Sequence, residues 1–390
     1  MEKKKSRSVM MSVIALIWFS ILCWPFGPPE AVSAANSTAR AKSPVTETQG
    51  PSWEVEWNKA LEAAKKEGKV VIGTAIASDA RTALGKAFKD KYGIDVQWMA
   101  GRATELNTKI FAERREGIYS VDLFITGGIT PFVSLQPAGL LEPLKPLLIL
   151  PEVTNPKAWW GGGLWFSDKG KNLVSSPILT TSQYEIANSN MVKKGEITSY
   201  RDFLKPKWKG KIVMNDPTIS GAGSRWFSVV TEKIMGVDFM RELAKQDIVV
   251  IRDQRLQMEW VSRGNYPIIL GPQPTVTAEF VTAGAPLMPI EVSEGGWLGG
   301  GPGLVMYVNK APNPNAAKIF INWFHTKEGQ SIYGRISRTE SARLDVSNDY
   351  LEPAERRKPN VKYFISEEED FIMKLDNLMK LAGQIFSVKK

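Results

Sequence analysis

The chain has 390 residues, 43% of them hydrophobic and 23% charged, which is the composition of a globular protein long enough for two domains. Disordered and collagen-like chains are excluded. The net charge of +9 comes from 50 Lys and Arg against 41 Asp and Glu, and both signs are scattered along the chain, so no nucleic-acid partner is predicted.

Residues 1–34 have the pattern of a cleavable signal peptide. A basic start over residues 3–7 is followed by an apolar run over residues 9–26 and then by small residues that end at Ala35. The pattern predicts export to the periplasm, with residues 35–51 as a flexible lead. Two alternatives are a membrane anchor formed by the apolar run and a lipid anchor on Cys23.

The cysteine and histidine counts exclude several classes of enzyme. The only cysteine, Cys23, falls within the signal peptide, so the mature protein has no disulfide and no thiol nucleophile. The only histidine, His325, excludes clustered histidine metal sites, and we expect it on a helix surface or at a helix end. Neither a phosphate-binding loop motif nor a G-x-S-x-G motif occurs. These counts narrow the possible enzymes, and we predict no cofactor and no metal.

A repeating order of strand, loop and helix begins near Trp53. Apolar residues at helical spacing predict helices that end near Gly68, Gly93 and Gly117, and buried strands are predicted at 70–72, 94–98 and 121–125. A second set follows, with strands at 211–214, 248–251 and 267–270 and a helical stretch at 226–234. Such alternation predicts parallel strands with helices on both faces of each sheet, an α/β fold in two lobes.

Two segments are predicted to cross between the lobes. Residues 184–188 form a strand after an irregular stretch rich in Pro and Trp, and residues 303–308 form a strand after the second set of elements. A chain that leaves one lobe and returns to it encloses a cleft at a hinge. The predicted division is lobe 1 at 52–183, lobe 2 at 184–289, the return to lobe 1 at 290–335, and a C-terminal helical segment at 336–390.

Several runs of residues resemble those of bacterial extracellular solute-binding proteins of family 1, in the branch that takes ferric ion, thiamine and phosphonates. The runs, which share the order and spacing of that family, are 63–71, 88–96, 112–122, 138–143, 202–212, 215–217, 312–320 and 327–330. The resemblance implies a type II periplasmic binding protein fold with two crossover segments. It also implies a small-molecule solute in the cleft and an ABC permease as partner.

The loops at the carboxyl ends of the predicted strands are the expected binding positions, because helix N-termini there offer free N–H groups. The loop at 218–225 is the most informative, since its glycines allow a ligand close to the backbone and Arg225 offers a planar donor pair to carboxylate or phosphonate. The loop residues predicted to bind the ligand are Thr74, Ser78, Arg102, Thr126, Gly127, Ser220, Gly221, Ser224 and Arg225.

Aromatic and amide side chains complete the predicted site. The aromatic residues in irregular or glycine-rich segments, which are candidates to stack on a planar or sugar-like solute, are Trp165, Tyr184, Trp226 and Trp297. Gln273, after the strand at 267–270, adds a neutral hydrogen-bonding group. The ferric-ion binders of the family use neighbouring tyrosines, whereas none of the nine tyrosines here is adjacent to another, so iron is not predicted.

With this resemblance, we predict a monomeric periplasmic receptor, not an enzyme, that closes around a small polar or anionic organic solute and delivers it to an ABC permease. One alternative is an exported lyase or hydrolase that uses Asp79 or Asp216. Another is a ligand sensor for a membrane receptor. The acidic run at 367–370 and the apolar residues that follow it at helical spacing predict a closing helix, to which the sequence assigns no function.

Overall fold

The computed structural model describes residues 52–181 and 185–386. The predicted signal peptide, the flexible lead and Tyr184 lie outside the described residues. In the part of the chain that is described, no helix combines the length and the apolar character needed to span a membrane.

The α-helices lie on both sides of the larger sheets. In chain order they are α1 (Ser52–Glu67), α2 (Ser78–Tyr92), α3 (Ala103–Arg115), α4 (Pro151–Thr154), α5 (Ala222–Val229), α6 (Val237–Ala244), α7 (Gln254–Ser262), α8 (Pro274–Thr282), α9 (Pro314–Phe324), α10 (Lys327–Ser337), α11 (Glu369–Ile372) and α12 (Leu375–Ile385). Local sequence explains several of their ends. Gly93 closes α2 with a positive φ of 73°, and the Asp253 carboxylate accepts the first free N–H groups of α7.

The strands form three sheets. In chain order they are β1 (Lys69–Thr74), β2 (Asp95–Ala100), β3 (Leu123–Thr126), β4 (Leu141–Glu142), β5 (Trp165–Phe166), β6 (Val174–Ser176), β7 (Thr180–Thr181), β8 (Glu185–Asn188), β9 (Ile212–Asn215), β10 (Val249–Ile251), β11 (Ile268–Leu270), β12 (Leu287–Pro289), β13 (Gly296–Gly299), β14 (Leu304–Val308) and β15 (Tyr363–Ile365).

The first sheet has the order β2-β1-β3-β14-β6-β5, with β4 beside β14. Strands β1, β2 and β3 are parallel, and β14 runs against β3. Helices α1, α2 and α9 cover one face, where Phe88, Phe320 and Trp323 are buried together. The apolar residues at helical spacing in α1 and α2 therefore form part of one side of the core.

The second sheet has the order β10-β9-β11-β8-β12, in which β9, β10 and β11 are parallel and β8 runs against β11. Each large sheet thus has three parallel strands and one antiparallel neighbour. That neighbour is β14 in the first sheet and β8 in the second, and each follows a segment of chain that has come from the other sheet. The two predicted crossing strands are confirmed as strands, and the fold is α/β as predicted.

The third sheet is small and was not predicted. Strand β13 pairs in parallel with β15 and antiparallel with β7. Strand β7 lies just before the chain enters the second sheet, and β13 lies just before it returns to the first. Because β15 comes from the C-terminal part of the chain, its backbone hydrogen bonds join that part to the second connecting segment through β13, and β13 in turn joins it to β7 of the first.

His325 ends α9 and is fully buried. Its Nε2 lies 2.9 Å from Ser175 Oγ, and its Nδ1 lies 2.6 Å from the carbonyl oxygen of Ile321. The expected position of His325 at a helix end is confirmed, whereas the expected position on a helix surface is wrong. Burial lowers the pKa of His325 to about 4, so the ring is neutral near pH 7 and stabilises the packing of α9 on β6.

Candidate functional site

Three loops leave the first sheet at the same edge. Thr74, the last residue of β1, is level with Ala100 of β2 and Ile125 of β3. The loops that carry the predicted residues Ser78, Arg102 and Gly127 therefore start side by side. The Thr74 hydroxyl is buried and donates to the Ile125 carbonyl at 2.8 Å, so it fixes the spacing of two of these loops.

The predicted residues of these loops differ in exposure. Ser78, at the start of α2, and Arg102, just before α3, are exposed, and the Arg102 backbone N–H donates to the Glu105 carboxylate at 3.1 Å. Thr126 is buried at the end of β3, and Gly127 is half-buried. The loop after β3 is therefore the one whose predicted residues lie inside the protein.

The corresponding loop of the second sheet leads from β9 into α5. Gly223 packs against the end of β9, where a Cβ atom would lie 2.4 Å from the carbonyl oxygen of Asn215, so only glycine fits. Ser224 Oγ lies 3.0 Å from the backbone N–H and 3.0 Å from the carbonyl oxygen of Gly221. Ser220 and Gly221 are exposed. The predicted hydroxyls and glycines thus form a tight turn at the N-terminus of α5.

Arg225 points from α5 to the C-terminal part of the chain. Its Nη1 donates to the Ser366 carbonyl at 3.1 Å, and its guanidinium lies 5.8 Å from the centre of the Phe371 ring. The planar donor pair that was predicted to hold an acidic ligand therefore has one of its N–H groups bonded to a peptide oxygen. The sequence pattern contained no signal for this contact.

Trp226 and Trp297 are buried. Trp226 is 0% exposed and its Nε1 donates to Glu185 Oε1 at 2.6 Å, where the Tyr200 hydroxyl also donates at 2.5 Å. Trp297 is 3% exposed, in β13. In this conformation neither ring presents a face to solvent, so stacking on a solute requires the surrounding elements to separate.

The remaining predicted residues lie further out. Trp165 is half-buried in β5, with Lys171 Nζ 4.7 Å from the centre of its ring. Gln273 precedes α8, and its carbonyl accepts the Thr277 hydroxyl at 3.1 Å. No described contact joins either residue to Arg225. Tyr184 is not among the described residues.

Glu367 is the charged residue that the sequence analysis missed. It is 6% exposed, and its carboxylate lies against Gly128, in the loop after β3, and beside Gly299 and Gly300. Burial raises the pKa of this carboxyl, while the charge of Arg225 and hydrogen bonds from the Gly300 N–H and Ser366 oppose that rise. The acidic run at 367–370 is visible in the sequence, but nothing local indicates that its first residue is buried.

Asp79 and Asp216, the carboxylates considered for an enzyme, have local partners. The Asp79 carboxylate accepts the Ala80 N–H at 2.8 Å. Asp216 accepts the Thr218 N–H at 2.8 Å and Arg252 Nε at 2.8 Å. Burial acts to raise the pKa of Asp216, but the bonds from Thr218 and Arg252 outweigh it and the pKa is lowered. Both positions match the capping role of aspartate at helix and turn starts.

Within residues 52–181 and 185–386, no three His, Cys, Asp or Glu side chains come together in a group that could hold a metal ion. The predicted residues at the start of α5 include a hydroxyl, on Ser224, and a guanidinium, on Arg225. Such donors suit anionic or polar organic groups.

The fold matches solved structures of periplasmic binding proteins. The ferric iron-binding protein A of Mannheimia haemolytica, in an open conformation, matches with a TM-score of 0.63 and 15% identity over 82% of this chain and 98% of that one. Trichodesmium FutA, in complex with iron and citrate, matches with a TM-score of 0.61 and 18% identity over 82% and 99%. AfuA of Actinobacillus pleuropneumoniae, with fructose-6-phosphate bound, matches with a TM-score of 0.54 and 18% identity over 83% and 99%. The class of the fold is therefore the type II periplasmic binding protein, as predicted.

Residues 83–350 match the family described as bacterial extracellular solute-binding protein. The chain belongs to this family, and the resemblance inferred from the sequence is confirmed. It is thus a solute-binding component of the kind that serves ABC transporters. At identities below 20%, the solved structures establish the fold and say nothing of the solute.

Proposed function

We propose that this protein is a periplasmic receptor without catalytic activity, which binds a small polar or anionic organic solute and delivers it to an ABC permease. The observation that carries the proposal is that the two loop edges contact the same short stretch of the chain. The loop after β3 and the start of α5 come from different sheets, yet both contact residues 366–367, through Gly128 and Arg225. A solute at this point would contact both sheets at once.

The residues proposed to bind the solute are those at the loop edges. The central ones, which belong to the two loops that contact residues 366–367, are Thr126, Gly127, Ser220, Gly221, Ser224 and Arg225. Thr74, Ser78 and Arg102 lie at the same edge as Thr126 and would contact a larger solute. Roles for Trp165, Tyr184, Trp226, Gln273 and Trp297 stay predictions.

Binding by closure requires two lobes that move as bodies. We propose the division made from the sequence, with 52–183 and 290–335 in one lobe and 184–289 in the other. A solute that contacts both lobes binds the closed form more tightly than the open form, and that difference in affinity drives closure. Residues 1–34 are proposed as a signal peptide, and the mature protein is proposed to be a monomer.

The experiment that tests this function is a thermal-shift screen of the purified protein against carboxylates, phosphonates, sugars, thiamine, amines and ferric salts. A ligand that binds only the folded form raises the melting temperature. Small-angle X-ray scattering should then show a smaller radius of gyration with the ligand bound. Mass spectrometry of the recovered ligand should show it unchanged. A ligand that is converted during incubation would support the enzyme instead.

A further inference from the structure

The C-terminal segment, defined here as residues 363–385, is attached to both large sheets. Gln136 Nε2 and the Lys169 backbone N–H, on the side of the first sheet, donate to the Glu369 carboxylate at 3.1 and 2.8 Å. Lys233, on the side of the second sheet, forms an ion pair with Glu368 at 2.5 Å. Two adjacent residues therefore hold the segment to opposite sides of the proposed binding site.

The Glu367 carboxylate fills the space at the end of β3. A Cβ atom on Gly128 would lie 2.0 Å from Glu367 Oε2, so there is no room for another group between them. Gly300 lies beside the same side chain, and both its N–H and the charge of Arg225 favour the ionised form of the Glu367 carboxyl. A buried position beside a glycine, a backbone N–H and an arginine is suited to an oxyanion, and here the protein supplies that oxyanion itself.

This arrangement is costly for the protein. Among the described residues, Glu367 Oε2 is buried with no hydrogen-bond partner. Burying a carboxylate oxygen without a partner is unfavourable, and the raised pKa of Glu367 reflects that penalty. By contrast, both carboxylate oxygens of Glu369 accept hydrogen bonds, and Glu368 forms an ion pair with Lys233. The contact of Glu367 is therefore the least satisfied of the three and the easiest to exchange for another oxyanion.

We propose that the Glu367 carboxylate occupies an anion subsite made by Gly128, the Gly300 N–H and Arg225, and that a solute with a carboxylate or phosphate group binds there by displacing it. The inference rests on the proposed solute-binding function and names the class of solute. The C-terminal segment would then close the site in the absence of solute and compete with solutes that lack an acidic group.

The test compares the wild type with two variants, Glu367→Gln and Asp370→Asn. Asp370 is the matched control, because it lies in the same segment but its ion pair with Lys169 is exposed. Inorganic phosphate and succinate are titrated separately by calorimetry. Glu367→Gln removes a like charge from the subsite, so we expect the Kd of one of these anions to fall by about tenfold or more. The anion that gains affinity distinguishes a phosphate from a carboxylate site, and Asp370→Asn should match the wild type.

Hydrogen exchange on the wild type gives a second test that needs no variant. The Ser366 N–H is bonded to Leu298 O at 2.9 Å and the Glu369 N–H to Ser167 O at 2.9 Å. Displacement should make these amides exchange faster at saturating anion, whereas simple binding would slow them. Slower or unchanged exchange overturns the proposal, even if Glu367→Gln fails to fold.

Failure of the subsite and failure of the function have different signatures. Equal Kd values in all three proteins, or no binding of either anion, overturn the subsite. If a neutral or cationic solute still raises the melting temperature in the screen, the receptor function is supported and only the anion subsite is wrong. If no solute of any class binds, both proposals fail.

Discussion

Trp226 donates its indole N–H to Glu185 across 2.6 Å, in a part of the core where both side chains are buried. Trp226 belongs to α5, whose N-terminus carries the predicted binding loop. Glu185 starts β8, the strand that follows the crossing into the second sheet. The bond therefore joins α5 to the segment that connects the two large sheets. A substitution of either residue is expected to affect the packing of both α5 and β8.

Trp226→Phe should lower the free energy of unfolding by about 1–3 kcal/mol, because it removes a donor to a buried carboxylate. Trp208→Phe is the matched control, since Trp208 is also buried but its Nε1 has no partner among the described residues. Urea unfolding of both variants measures the difference. Equal losses of unfolding free energy in the two variants would mean that the hydrogen bond to Glu185 contributes no stability beyond the packing of the ring.

Arg225→Ala should weaken the binding of an anionic solute by about tenfold or more, because a charged, planar donor pair is lost from the site. Arg225→Lys keeps the charge without the fork, so it should restore only part of the affinity. Arg241→Ala, at an exposed position on α6, is the control. Unchanged calorimetric affinity in Arg225→Ala would remove this residue from the site.

Gly128→Ala should expel the Glu367 carboxylate, because the new methyl group would lie 2.0 Å from Oε2. The clashing atom is at the end of a side chain, so we expect a loss of about 1–3 kcal/mol at most, with faster hydrogen exchange at Ser366. Gly163→Ala is the control, since a Cβ there would meet nothing within 4 Å. Wild-type exchange at Ser366 in Gly128→Ala would contradict the contact.

His325 should make the protein less stable as the pH falls from about 6.5 to 4. The unfolded chain takes up a proton near pH 6.5, whereas the folded chain does so only near its lowered pKa of about 4. Between these pH values the unfolded state binds more protons than the folded state. The free energy of unfolding therefore decreases as the pH is lowered, by about 3 kcal/mol in total. Because His325 is the only histidine, unfolding curves of His325→Gln at several pH values should lack this slope.

Much of the fold was predictable from local patterns. The helix that ends at Gly93, the strands of the parallel sets and the crossing strands at 184–188 and 303–308 all follow from apolar spacing and from glycines that stop helices. The short strands β5, β7, β13 and β15 were not predicted, because two to four residues are too few to show an alternating pattern.

The candidate site was only partly predictable. The loop after β3 and the start of α5 could be located, because the ends of parallel strands are expected to carry ligands. The partner of Arg225 could not, since Ser366 lies far along the chain and no local rule relates the two. The burial of Trp226 and Trp297 was not predicted either, because their irregular or glycine-rich surroundings made them candidates to stack on a solute.

The sequence by itself determined the class of fold, the family and the exclusion of cysteine and clustered-histidine chemistry, because these depend on composition and on patterns a few residues long. Only the tertiary structure decided that Glu367 lies between Gly128 and Arg225. That placement depends on the pairing of β15 with β13 and on the packing of α12 against α5, and both join residues that are distant in the chain. From the sequence alone, an acidic run is expected on the solvated surface. Only the packing around the run at 367–370 buries the Glu367 carboxylate.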